Sequence, residues 1–176
     1  MVDALFIIAQ KDFRDEELSI PKDILEKGGF SCDIAAITTK DAVGMMGTSI
    51  RPDITIKDAD INDYSVIIVV GGQGSPTLSQ YPEVLRLLKE ASNRNKIVGA
   101  ICLGPMVLAM AGILAGKKAT VWSSPSYTQS IEVLTKNGAV HEGGNLVEDG
   151  NIITAFGPEV AKEFGEAILR RLKGPS

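Results

Sequence analysis

"KIVGAICLGPMVLAM", residues 96–110, runs from a short apolar segment rich in β-branched residues into a cysteine, turns through Leu-Gly-Pro, and continues with helix-like composition. Its centre, Ala100-Ile101-Cys102-Leu103-Gly104, has the spacing of a nucleophile elbow: small residue, x, nucleophile, x, glycine. Such a turn joins a strand to a helix so sharply that the flanking positions must be small. The nucleophile is then held above a sheet edge at the start of a helix. There the helix dipole and unpaired N–H groups favour an anion, which predicts a thiol pKa below its ordinary value. A plain buried cysteine explains the same residue type less specifically.

Outward from this corner, short apolar runs alternate with helical patterns. Strands are predicted at 2–9, 31–37, 65–70, 97–101, 119–122 and 151–155, and helices at 15–27, 82–93, 105–115, 125–136 and 158–172. Gly28-Gly29 closes the first helix, Pro82 opens the next and Gly157-Pro158 opens the last. Strand-helix alternation with the continuous runs "FIIA" and "VIIVV" predicts a parallel sheet covered on both faces. The fold class is therefore α/β, a three-layer sandwich in one domain spanning 1–176. Two stretches leave the rhythm: 41–60 reads as a small β excursion, and 139–155, with Gly-Gly and Asp-Gly turns, as a hairpin leading into the last strand.

Composition excludes several classes. With 18 Lys+Arg against 22 Asp+Glu, a net charge of −4 and no basic run, nucleic-acid binding is not expected. The uncharged stretch 97–116 has about the length of a membrane span, but five glycines and prolines divide it, and a buried strand plus helix accounts for it; no membrane association is expected. Cys32 and Cys102 stand far apart and outside any metal-ligand spacing, so neither a disulfide, a metal nor a cofactor is expected. "MVDALFIIAQ" has no basic flank and reads as a first strand, not a signal peptide; a cytoplasmic location is expected. Cys32, inside a strand pattern, reads as a core residue.

In open α/β sheets, sites gather outside the carboxyl ends of the strands. Three loops reach that edge: "QKDFRDEEL", "VVGGQGSP" and "AICLGP". Gly71-Gly72 can bring backbone N–H groups close to Cys102 and, with the Leu103 N–H, form an oxyanion hole. Glu16 and Glu17 offer carboxylates at the same edge, although an acidic pair at a helix start also simply complements the dipole. Trp122 and Tyr127 lie near the expected pocket, where packing is the commoner role. Arg14 and Arg51 read as solvated surface residues rather than anion ligands.

Glu17 in "EELSIP", Gly71-Gly72 after a hydrophobic strand, "AICLGP" and "GPEVAKEFGEAIL" occur in the order found in the ThiJ/PfpI superfamily, which this chain resembles over nearly its whole length. The resemblance implies a flavodoxin-like fold, Cys102 as the reactive group, Glu17 beside it as a proton donor, and assembly as a dimer or higher homo-oligomer. The family's usual histidine positions are empty: Leu103 follows the cysteine, Trp122 follows the strand after the elbow helix, and Gly157 replaces the histidine that related class I glutamine amidotransferases carry in "HPE". Pro76 stands about where the peptidase-like branch has an acid. His141, the single histidine, falls in the predicted hairpin and reads as a surface residue without a catalytic role.

Without imidazole a Cys-His hydrolase or peptidase is disfavoured, since protonating an amine leaving group demands a strong general acid. Addition of a thiolate to an activated aldehyde demands less. The expected activity is a cofactor-independent glyoxalase or deglycase acting on a small reactive carbonyl or a glycated protein, with Cys102 as nucleophile and Glu17 as acid/base. A redox-responsive or chaperone-like dimer with an oxidisable Cys102 is the alternative.

Overall fold

The computed structural model describes residues 2–175. In chain order the elements are β1 (Ala4–Ile7), β2 (Lys11–Phe13), α1 (Asp15–Lys27), β3 (Cys32–Ala36), β4 (Ala42–Gly44), β5 (Ser49–Ile50) and β6 (Ile54–Thr55). They continue with β7 (Val66–Val69), α2 (Pro82–Asn93), β8 (Ile97–Ile101), α3 (Gly104–Met110), β9 (Lys118–Ala119) and α4 (Gln129–Lys136). The chain ends with β10 (Val140–His141), β11 (Leu146–Asp149), β12 (Ile152–Ala155) and α5 (Ala161–Lys173).

Seven strands form the central sheet in the order β11-β12-β8-β7-β1-β3-β6, parallel throughout except for β11. Alternation along β1 explains why both faces are covered. Leu5 and Ile7 enter one apolar cluster with Ile67, Val69, Val98 and residues of α2 and α3. Ala4 and Phe6 enter the other with Val66, Ile68 and residues of α1 and α5. Helices α1 and α5 touch at Gly165, where a Cβ would stand 2.9 Å from Pro21 Cα. The expected three-layer α/β sandwich is thus the observed architecture.

β1 lies between β3 on one side and β7 on the other, with β8 next to β7. The chain therefore reverses its direction of travel across the sheet beside β1, and the loops leaving β1, β7 and β8 open into one crevice. That topology positions the site.

Five segments differ from expectation. Residues 11–13, read as loop, form β2 and pair with β4 in a small three-stranded sheet. The predicted strand 119–122 contributes only β9, which pairs with β10 outside the central sheet; the Thr120 N–H is satisfied by the Thr154 side chain instead of a strand. The hairpin of 139–155 reduces to β11 and β12, joined across Gly150 at φ +59°, and β10 leaves it to join β9. The elbow helix ends at Met110 rather than 115, because Gly112 adopts φ +80° and its N–H turns back to the Ala109 carbonyl. Residues 158–160 form a 3₁₀ turn before α5 begins.

Candidate active site

Cys102 occupies the turn between β8 and α3 with φ +62°, a left-handed conformation that costs a non-glycine residue on the order of 1–3 kcal/mol. Its backbone is fixed from both sides. The Cys102 N–H donates to the Ala155 carbonyl at 2.9 Å, and the Cys102 carbonyl accepts from the Trp122 N–H at 2.9 Å. A Cβ on Gly104 would lie 2.7 Å from the Val69 carbonyl oxygen, which is why the position two after the cysteine must be glycine. The half-buried thiol faces the crevice.

Gly71 separates the two chemical groups. A Cβ there would meet Glu17 Oε1 at 2.5 Å, Cys102 Cβ at 2.6 Å and the Ile101 carbonyl more closely still, so only glycine lets Glu17 and Cys102 approach each other. Gly72, at φ +117°, is pressed against the Asp12 carbonyl and the Arg14 N–H. The Gly71 carbonyl accepts from Arg14 N at 2.8 Å, which ties the glycine loop to the start of α1 and so to Glu17. The Gly72 and Leu103 N–H groups act on the Cys102 sulfur itself. In the resting site they favour charge on the sulfur, and an oxyanion formed on a substrate would have to share them.

Glu17 is fully buried, and neither carboxyl oxygen meets a partner in good hydrogen-bond geometry. Its one polar neighbour of consequence is the Cys102 thiol. Burial pushes its pKa up to about 8, against smaller downward pulls from Cys102 and Arg14. At neutral pH it carries a proton.

The expected depression of the thiol pKa is not found. Burial raises it, the Glu17 carboxylate raises it further, and the Gly72 and Leu103 donors only partly offset these effects. The helix that was to supply the dipole is only Gly104–Met110, and the thiol sits deeper than an exposed elbow would place it. The pair is coupled: a proton on Glu17 removes the charge that most opposes a thiolate, and frees an O–H to donate to it.

A pocket of about 540 Å³ opens from the thiol. Trp122 and Tyr127 line it, with ring centroids 5.8 Å apart and planes inclined at 42°. Arg14 also lines it, contrary to the reading of that residue as a solvated surface group; Nε and Nη2 donate to the Glu16 carboxylate at 3.0 and 2.9 Å. Glu16 is paired with Arg14, and of the acidic pair it is Glu17 that acts on the thiol. Arg51 is exposed and outside the pocket. Met45 and Glu159 are pocket residues to which sequence reasoning gave no role: Met45 lies in the β excursion without a motif, and Glu159 lies in "GPEVAKEFGEAIL", which carried only the family resemblance. His141 is half-buried on β10 and does not line the pocket. Cys32 packs half-buried against the α1/α5 core. Among the described residues no cluster of His, Cys, Asp and Glu has the arrangement of a metal site.

This geometry has relatives. The chain is 46% identical over 170 residues to an uncharacterized protein of Methanocaldococcus jannaschii, covering 96% of this chain and 82% of that one. It is 31% identical over 172 residues to the glutathione-independent glyoxalase DJR-1.2 of Caenorhabditis elegans, covering 98% and 89%. A ThiJ/PfpI domain protein from Brachyspira murdochii superposes with a TM-score of 0.92 at 28% identity, covering 99% and 98% of the two chains. Residues 2–171 match the model of the DJ-1/PfpI family, and with the elbow, the glycine pair and the buried glutamate in place, the chain belongs to that family.

Proposed function

We propose that the protein is a cofactor-independent glyoxalase or deglycase that converts α-oxoaldehydes, free or newly added to protein side chains, to 2-hydroxy acids. The observation that carries this reading is the protonated, buried Glu17 facing the Cys102 thiol at the floor of a pocket. The similarity to a glutathione-independent glyoxalase supports the same chemistry.

In the proposed reaction the Cys102 sulfur bonds to the aldehyde carbon. The carbonyl electron pair moves to oxygen, which takes the proton of Glu17, while the thiol proton passes to solvent, so that Glu17 is left as a carboxylate. The hemithioacetal then loses its C–H proton to the Glu17 carboxylate, giving an enediol, and the proton returns at the neighbouring carbon. A thioester results, which water cleaves to the hydroxy acid and free thiol. The aldehyde carbon is oxidised and the ketone carbon reduced, with one water consumed and no external oxidant. Each proton transfer needs one group whose pKa lies near the working pH, and Glu17 meets that need.

A Cys-His peptidase mechanism gains no support, because no histidine lines the pocket. The second reading, a redox-responsive protein, draws on the same residues: two equivalents of peroxide would take the thiol to a sulfinic acid with release of two waters, beside a carboxyl able to donate to it. Either role suits a reducing compartment such as the cytoplasm, and a homodimer or larger homo-oligomer is part of the proposal. The test is methylglyoxal consumption and lactate formation without glutathione. Turnover by the wild type that vanishes in Cys102→Ala supports the enzyme. Equal background rates reject it, and the mass of Cys102 after mild peroxide treatment then tests the redox reading.

A further inference from the structure

We propose that the pocket above Cys102 selects α-oxoaldehydes bearing a neutral aryl substituent over the three-carbon methylglyoxal; this selectivity rests on the glyoxalase reading above. A pocket of about 540 Å³ is in the range that encloses ligands much larger than a three-carbon aldehyde. Its walls are made by Trp122, Tyr127, Met45, Leu103, Pro76 and Pro158. The two inclined aromatic rings and the Met45 thioether offer a third ring the edge-to-face, offset and sulfur contacts that aromatic groups prefer.

The aromatic wall is preformed. The Trp122 N–H donates to the Cys102 carbonyl at 2.9 Å, and the Trp122 carbonyl accepts from Ser130 Oγ at 2.6 Å, so the indole is referenced directly to the elbow. Tyr127 is held on the same wall by two backbone bonds with Ser124, of 3.1 and 3.0 Å. Little ordering remains when a ring enters, and misplacement of the aldehyde relative to the thiol is restricted.

Charge argues that the substituent is neutral. Among the described residues Arg14 is the one cation lining the pocket; its guanidinium is engaged by both oxygens of Glu16, and Glu159 adds an exposed carboxylate at the rim. An anionic tail would face a neutralised arginine and a like charge. An aryl group meets neither penalty.

The test compares initial rates on phenylglyoxal and methylglyoxal for the wild type, Trp122→Ala and Trp122→Phe, and follows quenching of Trp122, the only tryptophan of the chain, by the products mandelate and lactate. The expected kcat/KM is roughly tenfold higher for phenylglyoxal. That ratio should collapse toward unity in Trp122→Ala and be largely retained in Trp122→Phe. Turnover of methylglyoxal with no preference for the aryl substrate overturns the selectivity and leaves the glyoxalase reading intact. If neither aldehyde is consumed above the Cys102→Ala background, the glyoxalase reading fails. The quenching then decides the pocket's preference: half-saturation at roughly tenfold lower mandelate than lactate supports it, and equal concentrations overturn it.

Discussion

Cys102 and Cys32 are both half-buried thiols, and burial raises the pKa of both, to about 12 for Cys32. What surrounds them differs. Cys32 begins β3 with ordinary strand geometry, its Sγ 3.9 Å from the Phe30 carbonyl and the carboxylates of Glu26, Asp3 and Asp33 adding to its penalty. Among the described residues no N–H donor to its sulfur is found. Cys102 stands on a left-handed turn, with the Gly72 and Leu103 N–H groups directed at its sulfur and a buried carboxyl beside it. Burial alone therefore makes an inert thiol. Reactivity depends on a neighbour that can hold a proton and so cancel the charge that keeps the thiolate from forming.

The sharpest break of this comparison is removal of each sulfur in turn. Cys102→Ala should lower hydroxy-acid formation by about 10³-fold or more, and Cys32→Ala should leave it within about twofold. Next comes the proton holder. Glu17→Gln should lower turnover by about 10²-fold or more, because the amide cannot exchange a proton. The same variant should raise the rate of Cys102 alkylation by iodoacetamide at pH 9, where the wild-type carboxylate opposes the thiolate, with no change at Cys32. Opposite signs for turnover and alkylation separate a proton relay from mere damage to the site.

Gly71→Ala places a methyl against Glu17 Oε1 and Cys102 Cβ. A loss of about 1–3 kcal/mol in denaturant unfolding, together with roughly tenfold lower turnover, is expected from forcing the pair apart. The last effect is on stability against pH. The folded-state pKa of Glu17, about 8, lies above its ordinary 4.5. As pH rises between these values the unfolded chain releases this proton first, so stability falls through that window and levels above it. The wild type should lose roughly 10 °C of Tm from pH 5 to pH 8 relative to Glu17→Gln.

Much of this was legible in the sequence. The runs at 65–70 and 97–101 are buried on both faces, and that composition has few other solutions; they became β7 and β8. The elbow was readable because a strand-to-helix turn imposes small residues at fixed spacing, and Glu17 because the family resemblance supplied its partner. Strand 119–122 was misplaced because apolar periodicity reports burial without saying which ladder satisfies the backbone. Arg14 was misread for a related reason: a charged residue beside acids resembles a solvated face, and only the fold shows that its ion pair with Glu16 forms a pocket wall. The direction of the thiol shift depends on depth and on a long-range carboxylate, which local spacing cannot report.

The central claim is that Glu17 holds a proton beside Cys102 at neutral pH, and it is tested most directly by following the carboxyl carbons of ¹³C-glutamate-labelled protein from pH 4 to pH 10, with Glu17→Gln identifying the signal. The account predicts a Glu17 midpoint near 8 that moves when Cys102 is replaced by serine. A midpoint near the ordinary value of 4.5, unchanged by that replacement, would contradict it.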